Sequence, residues 1–272
     1  MRIGVIVPMT TAGWPEISAY AQHAEATGAD SAWVFDHLYS GHGDVPPEDI
    51  QEAWTVQSAL AAVTSRMELG QLVTCATFRP PGLLAKMAAT VDGVSGGRLV
   101  LGIGAGWYDR EYRDFGYPND HRASRFAEAV DIIKPLLAGE KVTVAGRWHS
   151  VTEAELLPRP ARRVPLLIAG FKPRMLRLAA RHADAWNTAW HPAPNDIFHQ
   201  RLAAFRAALE AEGRDPATIR LTVGMHAPQA TAAELAKGIA AFGGYGIDDL
   251  IVMQEEKTPA ALDMLAEARA LL

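Results

Sequence analysis

The stretch Arg98–Gly106, RLVLGIGAG, decides the fold, because it is an apolar run of strand length that ends in three glycines at alternate positions. Its nearly continuous apolar character is typical of a strand covered on both faces, as in a parallel sheet between layers of helices. A polar loop and the helical pattern Ser124–Leu137 follow it. A buried strand followed by a helix predicts one βα unit of an α/β protein.

The same alternation of a short apolar run with a longer stretch of helical spacing occurs eight times along the chain. Eight such units in roughly 250 residues favour a (β/α)8 TIM barrel over an open doubly wound sheet. The predicted strand and helix pairs are Ile3–Pro8 with Glu16–Thr27, Ser31–His37 with Pro47–Thr64, Met67–Thr77 with Pro81–Val94, Arg98–Gly106 with Ser124–Leu137, Val164–Gly170 with Arg174–Ala183, Ala185–Trp190 with Ile197–Glu212, Ile219–Met225 with Ala232–Phe242, and Asp249–Gln254 with Pro259–Leu271.

One segment stands outside this repeat. Residues Lys141–Val151 alternate in polarity around Ala145 and Gly146, which predicts a small β-hairpin inserted after the fourth βα unit. No low-complexity segment or long linker divides the chain, so we expect a single barrel domain over residues 1–272.

Composition narrows the class of partner. The 26 basic residues are dispersed among 31 acidic ones, for a net charge of −5, which argues against a nucleic-acid-binding protein. The one cysteine, Cys75, excludes an intramolecular disulfide. We find neither a signal-peptide pattern nor an apolar stretch of about 18 residues, so we expect no membrane partner, a cytoplasmic location and a small-molecule substrate.

In a TIM barrel, chemistry is carried by residues at the C-terminal ends of the strands and in the loops that follow. The candidates that meet this condition must converge on one mouth of the barrel. They are Asp36 and His37 after the second strand, Cys75 after the third, Gly104–Trp107 after the fourth, Gly170–Lys172 after the fifth, and Trp186, Asn187 and Trp190 on the sixth.

The glycine run does not fit a dinucleotide-binding turn. A G-x-G-x-x-G motif counted from Gly102 or from Gly104 would need its third glycine at Trp107 or Asp109. On a strand, the spacing of Gly102, Gly104 and Gly106 puts all three on one side. Two interpretations are open: the glycines form a smooth floor for a flat ring or a phosphate, or they relieve crowding inside the barrel.

His37 is the candidate proton-transfer residue, since histidine titrates near neutral pH and Asp36 could orient a ligand or tune charge. Adjacent residues point in different directions, so we do not expect these two to pair with each other. In the alternative interpretation, Asp36 caps a turn and His37 is a packed loop residue. Cys75 lies in an apolar strand, where a thiol is usually buried and inert.

Lys172 and Arg174 open the helix after the fifth strand. Cations are unfavourable at a helix N-terminus, and a bound phosphate would relieve this; the alternative is a solvated basic turn. Trp107, Trp186, Trp190 and Phe171 either line a pocket for a planar ring or belong to the core. No spacing of histidines or cysteines indicates a metal site, and no G-x-S-x-G motif indicates a serine nucleophile.

Three stretches together resemble the bacterial luciferase-like monooxygenase superfamily, and most closely its coenzyme F420-dependent oxidoreductases. They are WVFDH (Trp33–His37), the long block from LGQLVTCATFRPPG to WYDREYRDFGYP (Leu69–Pro118), and PLLIAG to ADAWN (Pro165–Asn187). The specific motifs lie within residues 1–190. The resemblance implies a TIM barrel that binds a deazaflavin, or FMN in sister groups, at its C-terminal mouth.

The resemblance also implies roles for individual residues. Asp36 would contact the cofactor ring and His37 would handle the proton. A non-prolyl cis peptide is expected between Leu72 and Val73, where it forms a bulge behind the ring. The remaining implied cofactor contacts are Cys75 at the ring, the backbone of Ala105 and Gly106, the side chain of Arg110, and the segment Phe171, Lys172, Arg174 and Met175 near the cofactor phosphate.

Two departures from the family pattern bear on the substrate. Trp107 stands where the sugar-phosphate dehydrogenases of the family have a glutamate, which argues against glucose 6-phosphate as substrate. Phe171 and Lys172 replace the glycine pair that the family usually has after the fifth strand.

We expect an F420-dependent oxidoreductase that transfers hydride to or from a small organic substrate. The alternatives are an FMN-dependent monooxygenase supplied by a separate reductase, and a barrel that binds a cofactor without turnover. Related barrels often form homodimers.

Overall fold

Eleven strands and nine α-helices alternate along the part of the chain that the computed structural model describes, residues 1–10, 12–41, 46, 48–228 and 231–272. The strands are β1 (Arg2–Ile6), β2 (Ser31–Val34), β3 (Glu68–Gln71), β4 (Thr74–Cys75), β5 (Leu99–Gly104), β6 (Val142–Ala145), β7 (Ser150–Ala154), β8 (Leu166–Ala169), β9 (Ala185–His191), β10 (Arg220–Ala227) and β11 (Asp249–Gln254). The helices are α1 (Trp14–Ala26), α2 (Ala53–Val63), α3 (Pro81–Val94), α4 (Asp109–Asp114), α5 (Arg122–Leu137), α6 (Pro173–His182), α7 (Asp196–Ala211), α8 (Ala232–Phe242) and α9 (Pro259–Ala270).

The main sheet closes on itself. Parallel pairing runs from β1 through β2, β3, β5, β8, β9, β10 and β11, and β11 pairs with β1 again. Arg2 lies opposite Asp249 at this closure. Strand β3 and the short β4 together occupy the third strand position of the barrel, because both pair with β5; Thr74 of β4 lies opposite Ile103. The predicted TIM barrel is therefore confirmed, and the open doubly wound sheet is excluded.

Strand β5 shows why these segments are apolar throughout. Leu99, Leu101 and Ile103 join the core between the sheet and the surrounding helices, whereas Val100 joins the smaller cluster inside the barrel. Successive side chains of a strand alternate between faces, so both faces of β5 are buried and both must be apolar or small. The same alternation places Gly102 and Gly104 on the interior face.

The interior glycines make room for the neighbouring strand. A Cβ atom at Gly102 would lie 1.9 Å from the backbone oxygen of Gln71, and one at Gly104 would lie 2.9 Å from a methyl carbon of Val73. The cis peptide predicted between Leu72 and Val73 is present, and it separates β3 from β4. For Gly102 and Gly104 the structure therefore supports relief of crowding inside the barrel and not a smooth floor, because their side of β5 is already filled by this link.

Two other boundaries differ from the expectations. Helix α2 begins at Ala53, where the Glu52 carboxylate accepts hydrogen bonds from the backbone N–H groups of Trp54 and Thr55; the predicted start at Pro47 lies outside the described residues. The stretch after β5, which we expected to be a polar loop, contains the short helix α4. A carboxylate at the N-cap satisfies N–H groups that have no partner within the helix.

The hairpin lies where the alternation places it, between α5 and β8. Strands β6 and β7 pair antiparallel, with Ala145 opposite Ser150. Its turn is held to α5 by Glu128, whose carboxylate accepts hydrogen bonds from the backbone N–H groups of Arg147, Trp148 and His149. The insertion is thus fastened to helix α5.

Candidate active site

An apolar floor lies at the C-terminal mouth of the barrel. Phe35, Val73, Trp190 and Met253 are half-buried and pack on the interior cluster from the ends of four different strand positions. The rings of Phe35 and Trp190 meet edge to face, with centroids 5.9 Å apart. Half-buried apolar side chains around one opening form a surface on which a flat ring can lie. We refer to these four residues as the apolar floor.

Asp36 follows β2 directly and is buried in an ion pair. Its carboxylate lies 2.7 Å and 3.0 Å from the two terminal nitrogens of Arg79, and it accepts a hydrogen bond of 2.9 Å from the backbone N–H of Cys75. Burial raises the pKa of Asp36, and the guanidinium of Arg79 opposes that rise. Asp36 thereby joins the ends of the second and third strand positions, and its carboxylate is occupied by protein partners.

His37 is held by a different carboxylate. Its Nδ1 atom lies 3.1 Å from both carboxylate oxygens of Glu111, which is 2% exposed. An ionised carboxylate only accepts hydrogen bonds, so in this contact Nδ1 carries a proton and Nε2 is the ring nitrogen that can exchange one. The expectation that Asp36 and His37 do not pair with each other is confirmed.

Glu111 is a residue of the candidate site that we did not predict from the sequence. It lies on α4, and besides His37 it accepts hydrogen bonds from the backbone N–H groups of Leu38 and Tyr39. Three donors from one loop converge on one buried carboxylate, and this fixes both the loop after β2 and the orientation of the imidazole. The stretch DREYRD contains three acidic residues, and nothing in its pattern distinguishes Glu111 from its neighbours.

Cys75 belongs to a buried polar network. Its sulfur lies 3.0 Å from the hydroxyl oxygen of Tyr112 and 3.2 Å from that of Thr77, and the Tyr112 hydroxyl donates to the backbone oxygen of Ala105. Burial raises the pKa of the Cys75 thiol. A thiol of this kind is a poor nucleophile, in agreement with the inert interpretation.

The structure brings several predicted site residues into this network. Gly106 has a φ of +77°, and a Cβ atom there would lie 2.7 Å from the Cys75 sulfur. Glycine is required because both the conformation and the space exclude a side chain.

Arg110 lies on α4 outside this network. It pairs with Asp114 at 3.2 Å, and its guanidinium lies over the ring of Tyr39.

The segment after β8 forms the opposite edge of the mouth. Phe171 is 52% exposed, with the guanidinium of Arg201 4.0 Å from its ring centre. Lys172 is the exposed N-cap residue of α6, and Arg174 donates to the hydroxyl of Ser124. Met175 is buried against Gly170. Lys172 and Arg174 thus lie together at the start of α6, and Phe171 lies beside them.

The tryptophans divide between mouth and core. Trp107 is 58% exposed, and its ring meets that of His37 edge to face with centroids 5.7 Å apart. Trp186 does not line a pocket, because it is buried, stacks on Phe205 and donates to the backbone oxygen of Gly170. Of the two interpretations left open for Trp186, the structure therefore supports the core one, since this side chain points from the strand towards α7.

A cavity of about 190 Å³ opens beside His37. Val7, Met9, Phe35 and Ile50 form its apolar walls, and Lys257 lies at its edge. A larger groove, of about 530 Å³, lies on the outside of the barrel between α7 and Tyr245, away from the strand ends. Of these two, the cavity at His37 lies at the strand ends, and there it combines a histidine with room for a small molecule.

Two classes of feature are missing from the described residues. They include no group of three or more His, Cys, Asp or Glu side chains arranged to hold a metal ion. Nor does any helix within the described ranges have the length and hydropathy needed to cross a membrane.

Comparison with known proteins gives a consistent family. A family model described as luciferase-like monooxygenase matches residues 1–262. F420-dependent glucose-6-phosphate dehydrogenase of Nakamurella multipartita is 33% identical over 217 residues, which cover 79% of this chain and 63% of that protein. Pyrimidine monooxygenase RutA of Pantoea ananatis is 30% identical over 237 residues, with 79% and 64% covered. The chain therefore spans less than two thirds of the length of these relatives.

Among solved structures, an F420-dependent secondary alcohol dehydrogenase in complex with an F420-acetone adduct superimposes with a TM-score of 0.85. It covers 98% of this chain and 97% of its own, at 21% sequence identity. This likeness shows that the two chains share the barrel fold.

Proposed function

Because this chain belongs to the luciferase-like monooxygenase family, we propose that it is a coenzyme F420-dependent oxidoreductase that transfers a hydride to or from a small organic substrate. The observation that carries the proposal is the buried Glu111 carboxylate on Nδ1 of His37, beside an apolar floor and a cavity. A hydride-transfer enzyme needs a planar cofactor site next to a group that exchanges a proton with the substrate.

The residues at the mouth fit a deazaflavin. The apolar floor, to which Val73 belongs, offers a surface for a planar ring, and we propose that Leu72 and Cys75 border it from the third strand position. We propose that Ala105, Gly106 and Arg110 contact the same cofactor from the fourth position. Asp36 contributes by holding Cys75, because its carboxylate is already paired with Arg79.

The cationic start of α6 fits the phosphate end of the cofactor. Lys172 and Arg174 are exposed there, and Phe171 and Met175 flank them. The first N–H groups of a helix lack partners within the helix and favour an anion. We propose that this segment holds the phosphate of F420.

When bound, coenzyme F420 supplies a two-electron hydride carrier that reacts poorly with oxygen. His37 supplies the proton chemistry. In the direction of oxidation, Nε2 of His37 takes the proton of a substrate hydroxyl, and in the reverse direction the same nitrogen returns it to the carbonyl oxygen. Glu111 stabilises the imidazolium that forms, since its carboxylate lies on the other nitrogen.

We propose that glucose 6-phosphate is not the substrate of this protein. Trp107, with its exposed indole against His37, occupies the position after the glycine run. By the resemblance, the sugar-phosphate dehydrogenases of the family have a glutamate there. A large apolar side chain at this place favours a smaller or less polar substrate.

A second candidate is an FMN-dependent monooxygenase, which the similarity to a pyrimidine monooxygenase favours. Titration with F420 and with FMN, followed by oxygen uptake with each reduced cofactor, separates the candidates. We expect F420 to bind and no oxygen to be consumed with it. Protein-dependent oxygen uptake with reduced FMN and not with reduced F420, above the spontaneous oxidation of free FMN and accompanied by an oxygenated product, would establish the monooxygenase instead. Tight F420 binding without oxidation or reduction by any of a panel of alcohols and carbonyl compounds would indicate a binding protein.

A further inference from the structure

Lys257 reaches the cavity that contains His37. It follows β11 by three residues and precedes α9, and its side chain is half-buried at the cavity edge. It thus comes from the eighth strand position, whereas His37 comes from the second. Only the closure of the barrel brings these two residues to one cavity.

The ammonium group of Lys257 has no protein partner among the described residues. It makes none of the ion pairs or hydrogen bonds found there, and burial lowers its pKa with no neighbouring carboxylate to oppose that change. Two other cations near the mouth differ in this respect: Arg79 is paired with Asp36, and Arg110 with Asp114. A partly desolvated cation without a counter-charge is unfavourable unless a ligand supplies one.

The rest of the cavity restricts what that ligand can be. Its described lining consists of apolar walls, the hydroxyl-bearing residues Thr10, Tyr39 and Ser40, and His37, with no carboxylate. The volume of about 190 Å³ is below the roughly 300–1,000 Å³ of pockets that hold drug-sized ligands, which favours a ligand of a few carbon atoms. One ammonium matches the single charge of a carboxylate, whereas phosphate is usually held by several donors.

We propose that Lys257 binds the carboxylate of the substrate, so that the substrate class is a small aliphatic hydroxy acid or the corresponding oxo acid. In this arrangement His37 exchanges the proton of the hydroxyl group, the apolar walls enclose the carbon chain, and Lys257 fixes the acid at the other end. The assignment of the hydroxyl to His37 rests on the proposed oxidoreductase function; the carboxylate site itself does not.

Binding of two probes that differ only in charge tests the site. Isobutyrate and its neutral isostere isobutyramide are titrated into the protein by calorimetry, with and without oxidised F420. We expect isobutyrate to bind at least about tenfold more tightly, since a charge-assisted hydrogen bond is worth at least this factor. Lys257→Met should remove that preference and leave isobutyramide binding within about threefold. The exposed Lys237→Met on α8 is the matched control and should change neither.

Equal binding of the two probes, or an isobutyrate preference that survives both Lys257→Met and a second variant, Lys257→Gln, would overturn the proposal. The anion could also come from the cofactor, which has phosphate and carboxylate groups. We expect the affinity for F420 to change by less than about twofold in Lys257→Met. A tenfold loss of F420 affinity with unchanged isobutyrate binding would assign Lys257 to the cofactor and refute the substrate role.

Turnover gives an independent comparison. With oxidised F420, we expect 2-hydroxy-3-methylbutanoate to be oxidised in preference to 3-methyl-2-butanol, and Lys257→Met to abolish that preference. Should neither compound react while isobutyrate still binds through Lys257, the proposed oxidoreductase function would be in question and the carboxylate site would stand. Should the alcohol react better than the acid, the function would stand and the carboxylate site would be refuted.

Discussion

Nδ1 of His37 and the carboxylate of Glu111 lie 3.1 Å apart, although 73 residues separate them in the chain. The carboxylate is buried and also accepts hydrogen bonds from the backbone of the loop that bears His37. In the function that we propose, the nitrogen that exchanges a proton is therefore Nε2, and the orientation of the imidazole is set by Glu111 of α4.

Glu111→Gln tests this orientation. An amide in place of the carboxylate no longer stabilises a protonated imidazole, so we expect kcat to fall by about 10²-fold, with F420 affinity within a few-fold of the original. The pH dependence of kcat should change as well, which a structural defect alone would not cause. Glu267→Gln on the exposed face of α9 is the control. Full activity in Glu111→Gln would show that His37 acts without this partner.

His37→Ala tests the proton-transfer role itself. We expect turnover to fall by roughly 10²-fold or more while F420 binding stays within a few-fold, because the apolar floor and α6 are untouched. Steady-state kinetics together with a cofactor titration separate the two effects. If turnover is unchanged, His37 has no part in the mechanism.

Arg79→Met should destabilise the fold by about 3–5 kcal/mol at neutral pH, since it leaves the buried Asp36 without its counter-charge. Burial already raises the pKa of Asp36, and loss of Arg79 raises it further. A carboxyl whose folded pKa is raised contributes stability at low pH that is lost as the pH rises through that pKa. We therefore expect a smaller destabilisation at pH 5 than at pH 8 in urea unfolding. An equal loss at both pH values would mean that Asp36 does not titrate with folding.

Gly102→Ala should destabilise the barrel by about 1–3 kcal/mol or more, because the new methyl group meets the backbone oxygen of Gln71 rather than a movable side chain. Gly93→Ala is a matched control: this glycine lies within α3, and a Cβ atom there meets nothing within 4 Å. It should stabilise the protein by about 0.5–1 kcal/mol, as helix glycines replaced by alanine do. Thermal unfolding of both variants is the measurement, and a neutral Gly102→Ala would show that the Leu72–Val73 link can move away.

Much of the fold was accessible from local pattern. All eight βα units and the hairpin could be located, because burial on both faces leaves a continuous apolar run in a strand and helical spacing follows from one buried face. We predicted the start of α2 too early because a proline and acidic residues precede Ala53. The residue that caps this helix is Glu52, and only the structure shows that its carboxylate accepts hydrogen bonds from the first N–H groups.

The candidate site was predicted in part. The amino-acid sequence by itself determined that Asp36, His37 and Cys75 stand at strand ends, and therefore at one mouth, because strand ends of a parallel barrel share an edge. The sequence could not determine which charged side chains lie next to one another in the folded protein. Glu111 becomes the partner of His37, and Lys257 reaches the same cavity, only when the barrel closes and strand positions far apart in the chain become neighbours. Electrostatic interactions act over a few ångströms of space and not along the chain, so these relationships were decided by the tertiary structure alone.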